Sequence, residues 1–212
     1  MNFYLLLREF FRPRTFVNLL HKLGIRIAAS GYRGASAKSA NIIAISFMGG
    51  DTFFFARQGF KVWAVEYTEA GADNIKQKAE ALGLSKLITV LHHDVRKPLP
   101  LPAEQFAACF SHMLYCMAFT TEELVILSSE VRRVLKPNGI NIYTVRSTSA
   151  KHYGSGIHRG EDRFEANGFI VHFFDKKKIE LLANGYDILD VTDFKEGDLP
   201  RKLFRVKLQK SS

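Results

Sequence analysis

The sequence predicts an α/β protein with a doubly wound, mainly parallel sheet that ends in an antiparallel C-terminal strand. Three observations support this fold class. From residue 41 onward, short apolar runs alternate with helix-length segments, the order that builds βαβ units. The early runs are continuously apolar, as expected for strands covered on both faces. The last two strand-like segments are separated by only eight residues, "KEGDLPRK" (195–202), too few for the crossover that a parallel return requires.

Each element can be justified in turn. "NIIAISF" (41–47) is the first buried strand, and "DTFFFARQGF" (51–60) is a helix that opens with an acid and closes at Gly59. "KVWAVE" (61–66) is the second strand, followed by a polar-faced helix, "EAGADNIKQKAEALGL", that ends near Gly83. "LITVLHHD" (87–94) is the third strand, and three prolines then break the chain in "VRKPLPLPAEQ". "FAACFSHMLYCM" (106–117) contains the fourth strand. Thr120 and Glu123 have capping-box spacing at the start of a helix that runs through "LVILSSEVRRVL" and stops at "KPNG". "INIYTVR" (140–146) is the fifth strand, and "STSAKHYGSGIHRGED" (147–162) is a long loop. "DKKKIELLAN" (175–184) is a helix, then "YDILDVTDF" and "LFRVKLQK" form the terminal hairpin. The phenylalanine run 53–55 is expected to pack its helix against the sheet. No internal repeat interrupts this order.

Composition narrows the function classes. With 212 residues, 47% hydrophobic and 24% charged, the chain fits one folded domain, or one with an appendage, rather than a disordered protein. No apolar run reaches the ~18 residues that span a bilayer. The opening "MNFYLLLREFFRPR" is interrupted by Arg8 and Glu9 and is not expected to be a secretory signal. Cys109 and Cys116 sit in apolar surroundings and read as free thiols of a cytoplasmic protein. Residues 1–40 hold seven Lys/Arg against Glu9 alone, +6 of the net +9, so they form a basic appendage to a domain spanning 41–212. Such an arm suits an anionic surface or simply faces water. No nucleic-acid motif accompanies it, and no His/Cys spacing predicts a metal site. The oligomeric state is not encoded in any motif.

In open α/β sheets ligands bind beyond the C-terminal strand ends. Here the first strand ends in Gly49-Gly50, where bare backbone and a helix N-terminus can approach a ligand. The second ends in Glu66, placed to accept both hydroxyls of an adenosine ribose at the rim of a wet pocket. The third ends in Asp94, placed to accept from an adenine amine. Singly, each is as readily structural; together they outline an adenosine-sized site.

From about residue 51 to 210 the chain resembles the class I S-adenosylmethionine-dependent methyltransferases, particularly small enzymes acting on small molecules. The resemblance rests on "DTFFFARQGFKVWAVEYTEAG", "HHDV", "FSHMLYCM", the turn "LKPNGINIYTVR" and "GFIVHFF…EGDLPRKLFRVKLQK". It implies a seven-stranded Rossmann-like sheet whose seventh strand is antiparallel. It implies S-adenosylmethionine held by Phe47, Gly49, Gly50, Asp51, Glu66, Tyr67, Asp94, Val95 and Ser111. It places His112 and Tyr115 beside the transferred methyl as catalytic candidates, and Arg146 and His158 toward the substrate. The glycine motif departs from the family pattern. Ala44 stands where an acid is usual, and Ser46, Phe47 and Met48 crowd a turn that keeps only Gly49 and Gly50. This departure sustains a second reading, a methyltransferase-like binding module without catalysis. A nicotinamide dehydrogenase fits less well, because the full G-x-G-x-x-G is absent.

The remaining polar candidates divide by position. His92 and His93 are adjacent and point to opposite faces, so at most one meets the pocket. His158, Glu161 and Arg163 lie in the long loop, which suits a substrate lid or plain surface polarity. His172, within "FIVHFF", reads as a packed residue.

Overall fold

The computed structural model describes residues 41–45, 50–196 and 201–211. The basic segment 1–40 and the turn residues Phe47 and Gly49 lie outside these residues. Seven strands form the main sheet: β1 (Asn41–Ile45), β2 (Lys61–Glu66), β3 (Ile88–His92), β4 (Phe106–His112), β5 (Leu135–Ser147), β9 (Tyr186–Glu196) and β10 (Arg201–Lys210). Their spatial order is β3-β2-β1-β4-β5-β10-β9. The pairings among β1 to β5 are parallel, whereas β10 runs antiparallel to both β5 and β9. The predicted terminal hairpin is therefore present, with a shorter connection than the eight residues read from sequence: pairing continues out to Glu196 and Arg201.

Among the described residues, four helices cover the sheet. α1 (Gly50–Arg57) and α2 (Glu69–Ala81) lie on one side, α3 (Thr121–Val134) and α4 (Lys176–Leu182) on the other. The strands alternate to match. Ile42, Ala44, Val62, Ala64, Phe110 and Ile142 meet Phe53, Phe55, Ile75 and Ala79 on the α1/α2 side. Ile43, Ile45, Cys109, Tyr143 and Val145 meet Leu124, Leu127, Val131 and Ile179 on the other. Phe55 packs edge-on against Phe110 at 5.5 Å, the role expected of the phenylalanine run.

Local chemistry fixes the helix ends. The capping box is formed: Glu123 N donates to Thr120 Oγ1 at 3.1 Å, and Thr120 N donates to Glu123 Oε2 at 2.7 Å. Thr68 and Asp175 cap α2 and α4 by accepting from Gly71 N and Lys178 N, without the reciprocal bond. Gly59 and Gly83, with φ of 90° and 67°, turn the chain after α1 and α2. The "KPNG" turn appears as an irregularity within β5, which pairs Leu135 with Phe106 and resumes at Ile140 opposite Ala108, with Asn138 at φ 60°.

The segment after β5 differs from its expectation. It is not only a loop: turns lead into a three-stranded antiparallel meander of β6 (Ile157–His158), β7 (Arg163–Ala166) and β8 (Phe169–Phe174). β8 joins the main sheet through two parallel pairs, Arg146 with Phe173 and Ser147 with Phe174. Asn167-Gly168 connects β7 to β8 with both φ angles positive, 52° and 78°, as a two-residue primed turn demands.

His172 anchors this meander. Its Nδ1 lies 2.9 Å from the Phe119 carbonyl and its Nε2 lies 2.6 Å from Lys178 Nζ. Lys178 also donates to the Glu161 carbonyl and to Asp162 Oδ2. With an ammonium on Nε2, the ring is a neutral tautomer donating from Nδ1 to Phe119. Burial first, and Lys178 second, push its pKa down to about 4. Protonation thus favours the unfolded chain, where the ordinary value is near 6.5. This stabilisation is complete above pH ~6.5 and is lost as pH falls toward 4. Thermal melting of the parent protein against His172→Gln across this range should show a parent-specific fall. Asp51, described below, titrates in the same window with opposite sign but is common to both proteins. Parallel curves would remove His172 as the source.

Candidate active site

Strand order reverses between β1 and β4, so the expected ligand crevice lies at the carboxyl ends of these strands. There the α1/α2 side of the sheet changes character. β2 passes from Ala64 to Glu66, β4 from Phe110 to His112, and β5 from Ile142 to Thr144 and Arg146. Strand alternation keeps all of these on one side. β10 and β9 extend the row, since Leu203 is opposite Arg146 and Arg201 is opposite Glu196.

His112 is the centre of the group. Its Nδ1 is 2.8 Å from Thr144 Oγ1, which also accepts from Met113 N at 3.1 Å. Its Nε2 is 3.5 Å from Glu196 Oε2. Burial works against the charged ring, but the Glu196 carboxylate and, further off, Asp51 outweigh it and raise the His112 pKa. Met113, directly after His112, has φ 59°, a conformation few side chains adopt and one that accompanies strand-end sites.

Asp51 enters from the first turn of α1. It is only 1% exposed, and its Oδ2 has no hydrogen-bond partner. Burial pushes its pKa up to about 6, with His112 pulling it down and Glu196 pushing it up. Next to it, Thr52 Oγ1 is also buried and unpartnered. Gly50 begins the helix.

Glu66 differs from its expected wet rim: it is 3% exposed. Its Oε1 accepts from Thr68 N and Thr68 Oγ1, both at 3.0 Å. A Cβ on Gly71 would lie 2.7 Å from the Glu66 carboxyl carbon, so α2 begins close against this acid. The neighbouring Tyr67 is 60% exposed, and Arg96 lies over its ring at 5.5 Å. Arg96 also grips Asp94, with Nε 2.9 Å from Oδ1 and Nη2 2.8 Å from Oδ2. That grip holds the Asp94 carboxyl below its ordinary range. Arg96 was not a sequence candidate, although its spacing two residues after a strand-end acid was visible.

Other candidates are placed elsewhere. Ser111 points to the α3/α4 side, fully buried, with an unpartnered Oγ. Val95 is buried in the core on that side. Tyr115 is not brought to His112. The turn at Met113 carries it beneath the sheet, where it stacks on Tyr143 at 4.5 Å and burial raises its pKa well above 10. His158 sits exposed on β6 beside Phe164. Arg146 is buried at 7% exposure, near Phe173. The sequence reading omitted Thr144, Glu196 and Arg201, whose approach depends on strand register. Among the described residues, no group of three or more His, Cys, Asp or Glu is arranged to hold a metal ion, and no helix is long and apolar enough to cross a membrane.

Comparison with known proteins agrees with this fold. Residues 48–139 match the family described as "Methyltransferase domain". A SAM-dependent methyltransferase from Methanosarcina mazei shares the fold with a TM-score of 0.73 and 18% identity, covering 83% of this chain and 94% of that one. A protein of Pyrococcus horikoshii OT3 has a TM-score of 0.70 and 20% identity, covering 93% and 91%. A geranyl diphosphate methyltransferase, solved in complex with SAM, has a TM-score of 0.64 and 12% identity, covering 84% and 80%. No curated protein sequence matches the chain. The match to the methyltransferase domain thus runs from α1 into β5, and the seven-stranded sheet with its antiparallel C-terminal strand has the fold of these solved methyltransferases.

Proposed function

We propose that this protein methylates a small-molecule acceptor, with His112 as the general base and Glu196 and Thr144 as its positioning residues. The observation that carries this reading is the His112 cluster at the point where strand order reverses. Two further features fit a polar cofactor in the crevice: the buried, unpartnered Asp51 Oδ2 and Thr52 Oγ1 at the start of α1, and Glu66 at the end of β2. Bound S-adenosylmethionine would supply an electrophilic methyl on a sulfonium centre. Glu66 would hold its ribose, and Asp94 with Val95 would border its adenine. Gly50, at the start of α1, would offer backbone to its methionine part.

The chain's own task is then alignment and proton removal. Thr144 Oγ1 and Glu196 hold the His112 ring at Nδ1 and Nε2, so that the neutral ring is positioned to take the acceptor's proton. Glu196 stabilises the imidazolium so formed. The raised pKa means that the ring is a competent base only above its ordinary range near 6.5. The two buried free cysteines suit a reducing compartment, and we place the protein in the cytoplasm.

The alternative, a binding module without catalysis, is favoured by one finding. Ala44, where the family carries an acid, is fully buried in the apolar α1/α2 cluster. Isothermal titration with S-adenosylmethionine and S-adenosylhomocysteine separates the readings. Absence of heat at millimolar ligand removes both cofactor binding and the enzyme.

Glu66→Gln should act twice. Loss of charge from a buried, doubly bonded carboxylate should lower stability by about 1–2 kcal/mol and weaken cofactor binding roughly tenfold or more. A changed urea midpoint with unaltered affinity would move the ribose site elsewhere. His112→Asn should lower kcat/KM by about 10²–10⁴ while cofactor affinity holds. Activity of the parent should rise with pH through the His112 pKa, and Glu196→Gln should shift that rise to lower pH. An unshifted profile would dissociate Glu196 from the base.

A further inference from the structure

A cavity of ≈ 240 Å³ opens between the meander and the ends of β5 and β10. Phe164, Phe169 and Phe173 supply its aromatic walls, and Arg146, Arg201 and His152 its polar ones. A second cleft of similar size, between α3 and α4 around Arg132, is remote from the strand ends; there Arg132 is already bonded to the Gly185 carbonyl.

The position of the first cavity follows from register. Thr144 touches His112, and Arg146 is the next residue of β5 on the same side, about 7 Å further along the strand. Arg201 reaches the same place from β10, one same-side step from Leu203, the residue opposite Arg146.

Two guanidinium groups gather at this cavity. Arg146 is 7% exposed, and its Nε makes no hydrogen bond. A guanidinium does not give up its proton even when buried, so this is a buried charge with an idle donor. Burial lowers the Arg146 pKa; burial and the Arg146 charge lower that of Arg201. Among the described residues, Glu196 acts on both arginines and also faces His112. The aromatic lining offers no negative group.

We propose that the cavity is the acceptor subsite and that the acceptor is a small organic anion, a carboxylate or phosphate on an aromatic or similarly apolar body. The anionic group binds between Arg146 and Arg201, the apolar body lies against the three phenylalanines, and the nucleophile extends back toward His112. This substrate class rests on the methyltransferase reading; the anion site itself does not. The planar fork of an arginine matches either oxyanion.

The test uses the full-length protein with phenylacetate, phenyl phosphate and neutral 2-phenylethanol as probes, titrated by calorimetry and saturation-transfer NMR. At least one anion should bind tenfold or more tightly than the alcohol, and which one does so names the oxyanion. Arg146→Met and Arg201→Met should each reduce that preference toward equality. Equal binding of all three probes by the parent, or a preference unchanged in a folded variant, would overturn the proposal. Should Arg146→Met fail to fold, the parent preference and the Arg201→Met result decide. S-adenosylhomocysteine titrated into the same samples keeps the two claims apart. Nucleoside binding without anion preference overturns the subsite alone. Anion preference without nucleoside binding supports the anion site and overturns its role in methyl transfer.

Discussion

The antiparallel pairing of β10 with β5 is the constraint on which the site depends. It sets Leu203 opposite Arg146 and Arg205 opposite Thr144, and the β9–β10 hairpin then sets Glu196 opposite Arg201. A one-residue slip would turn every one of these side chains to the other side of the sheet. The register is secured by burial: Phe204, Val206 and Leu208 are packed on the α3/α4 side with Tyr143 and Val145. Apolar packing on one side of β10 thereby aims charge on the other. Arg205, bonded to Asp190 and Thr192, ties the same hairpin internally.

The α1/α2 side shows how one surface serves stability and chemistry. Over most of its length it is apolar and covered by phenylalanines of α1 and small residues of α2. Beyond the helix N-termini the same side turns polar, with Glu66, His112, Thr144 and Arg146 in succession. Two acids, Asp51 and Glu196, flank one imidazole in a largely buried region. In such surroundings charge interactions are strong enough to set protonation. Burial raises the Asp51 pKa to about 6, whereas burial opposes the charged His112 ring and its acidic neighbours outweigh it, raising that pKa too. The protonation of each depends on the other, which is a property suited to a site that must move a proton.

The meander adds the third wall. It is small, and its first strand is only two residues long, so its own pairing is weak. Its order comes from contacts outward: β8 onto the end of β5, His172 onto Phe119 and Lys178, Tyr153 onto Phe164 and Phe173, and Glu161 onto Thr121 N at the start of α3. The same attachments that fix the meander enclose the aromatic cavity.

Much of this was legible in the residues themselves. Continuous apolar runs, capping residues and the short final connection determined the strands, the helix ends and the antiparallel return, because these depend on local periodicity and loop reach. The Asn167-Gly168 turn was equally local, and the meander could have been read from it. Its strand-end position also singled out Glu66, and the family resemblance named His112 and Arg146. What the sequence could not decide was which side chains would meet. Tyr115, three residues from His112, falls in the opposite core because a single positive φ at Met113 redirects the chain. Glu196, 84 positions away, reaches His112 through the pairing of β9, β10, β5 and β4. Contacts of that kind are set by register across several strands, and only the tertiary structure fixes them. Burial is decided at the same level, and it turned Glu66 from a residue of a wet rim into a buried carboxylate held by Thr68.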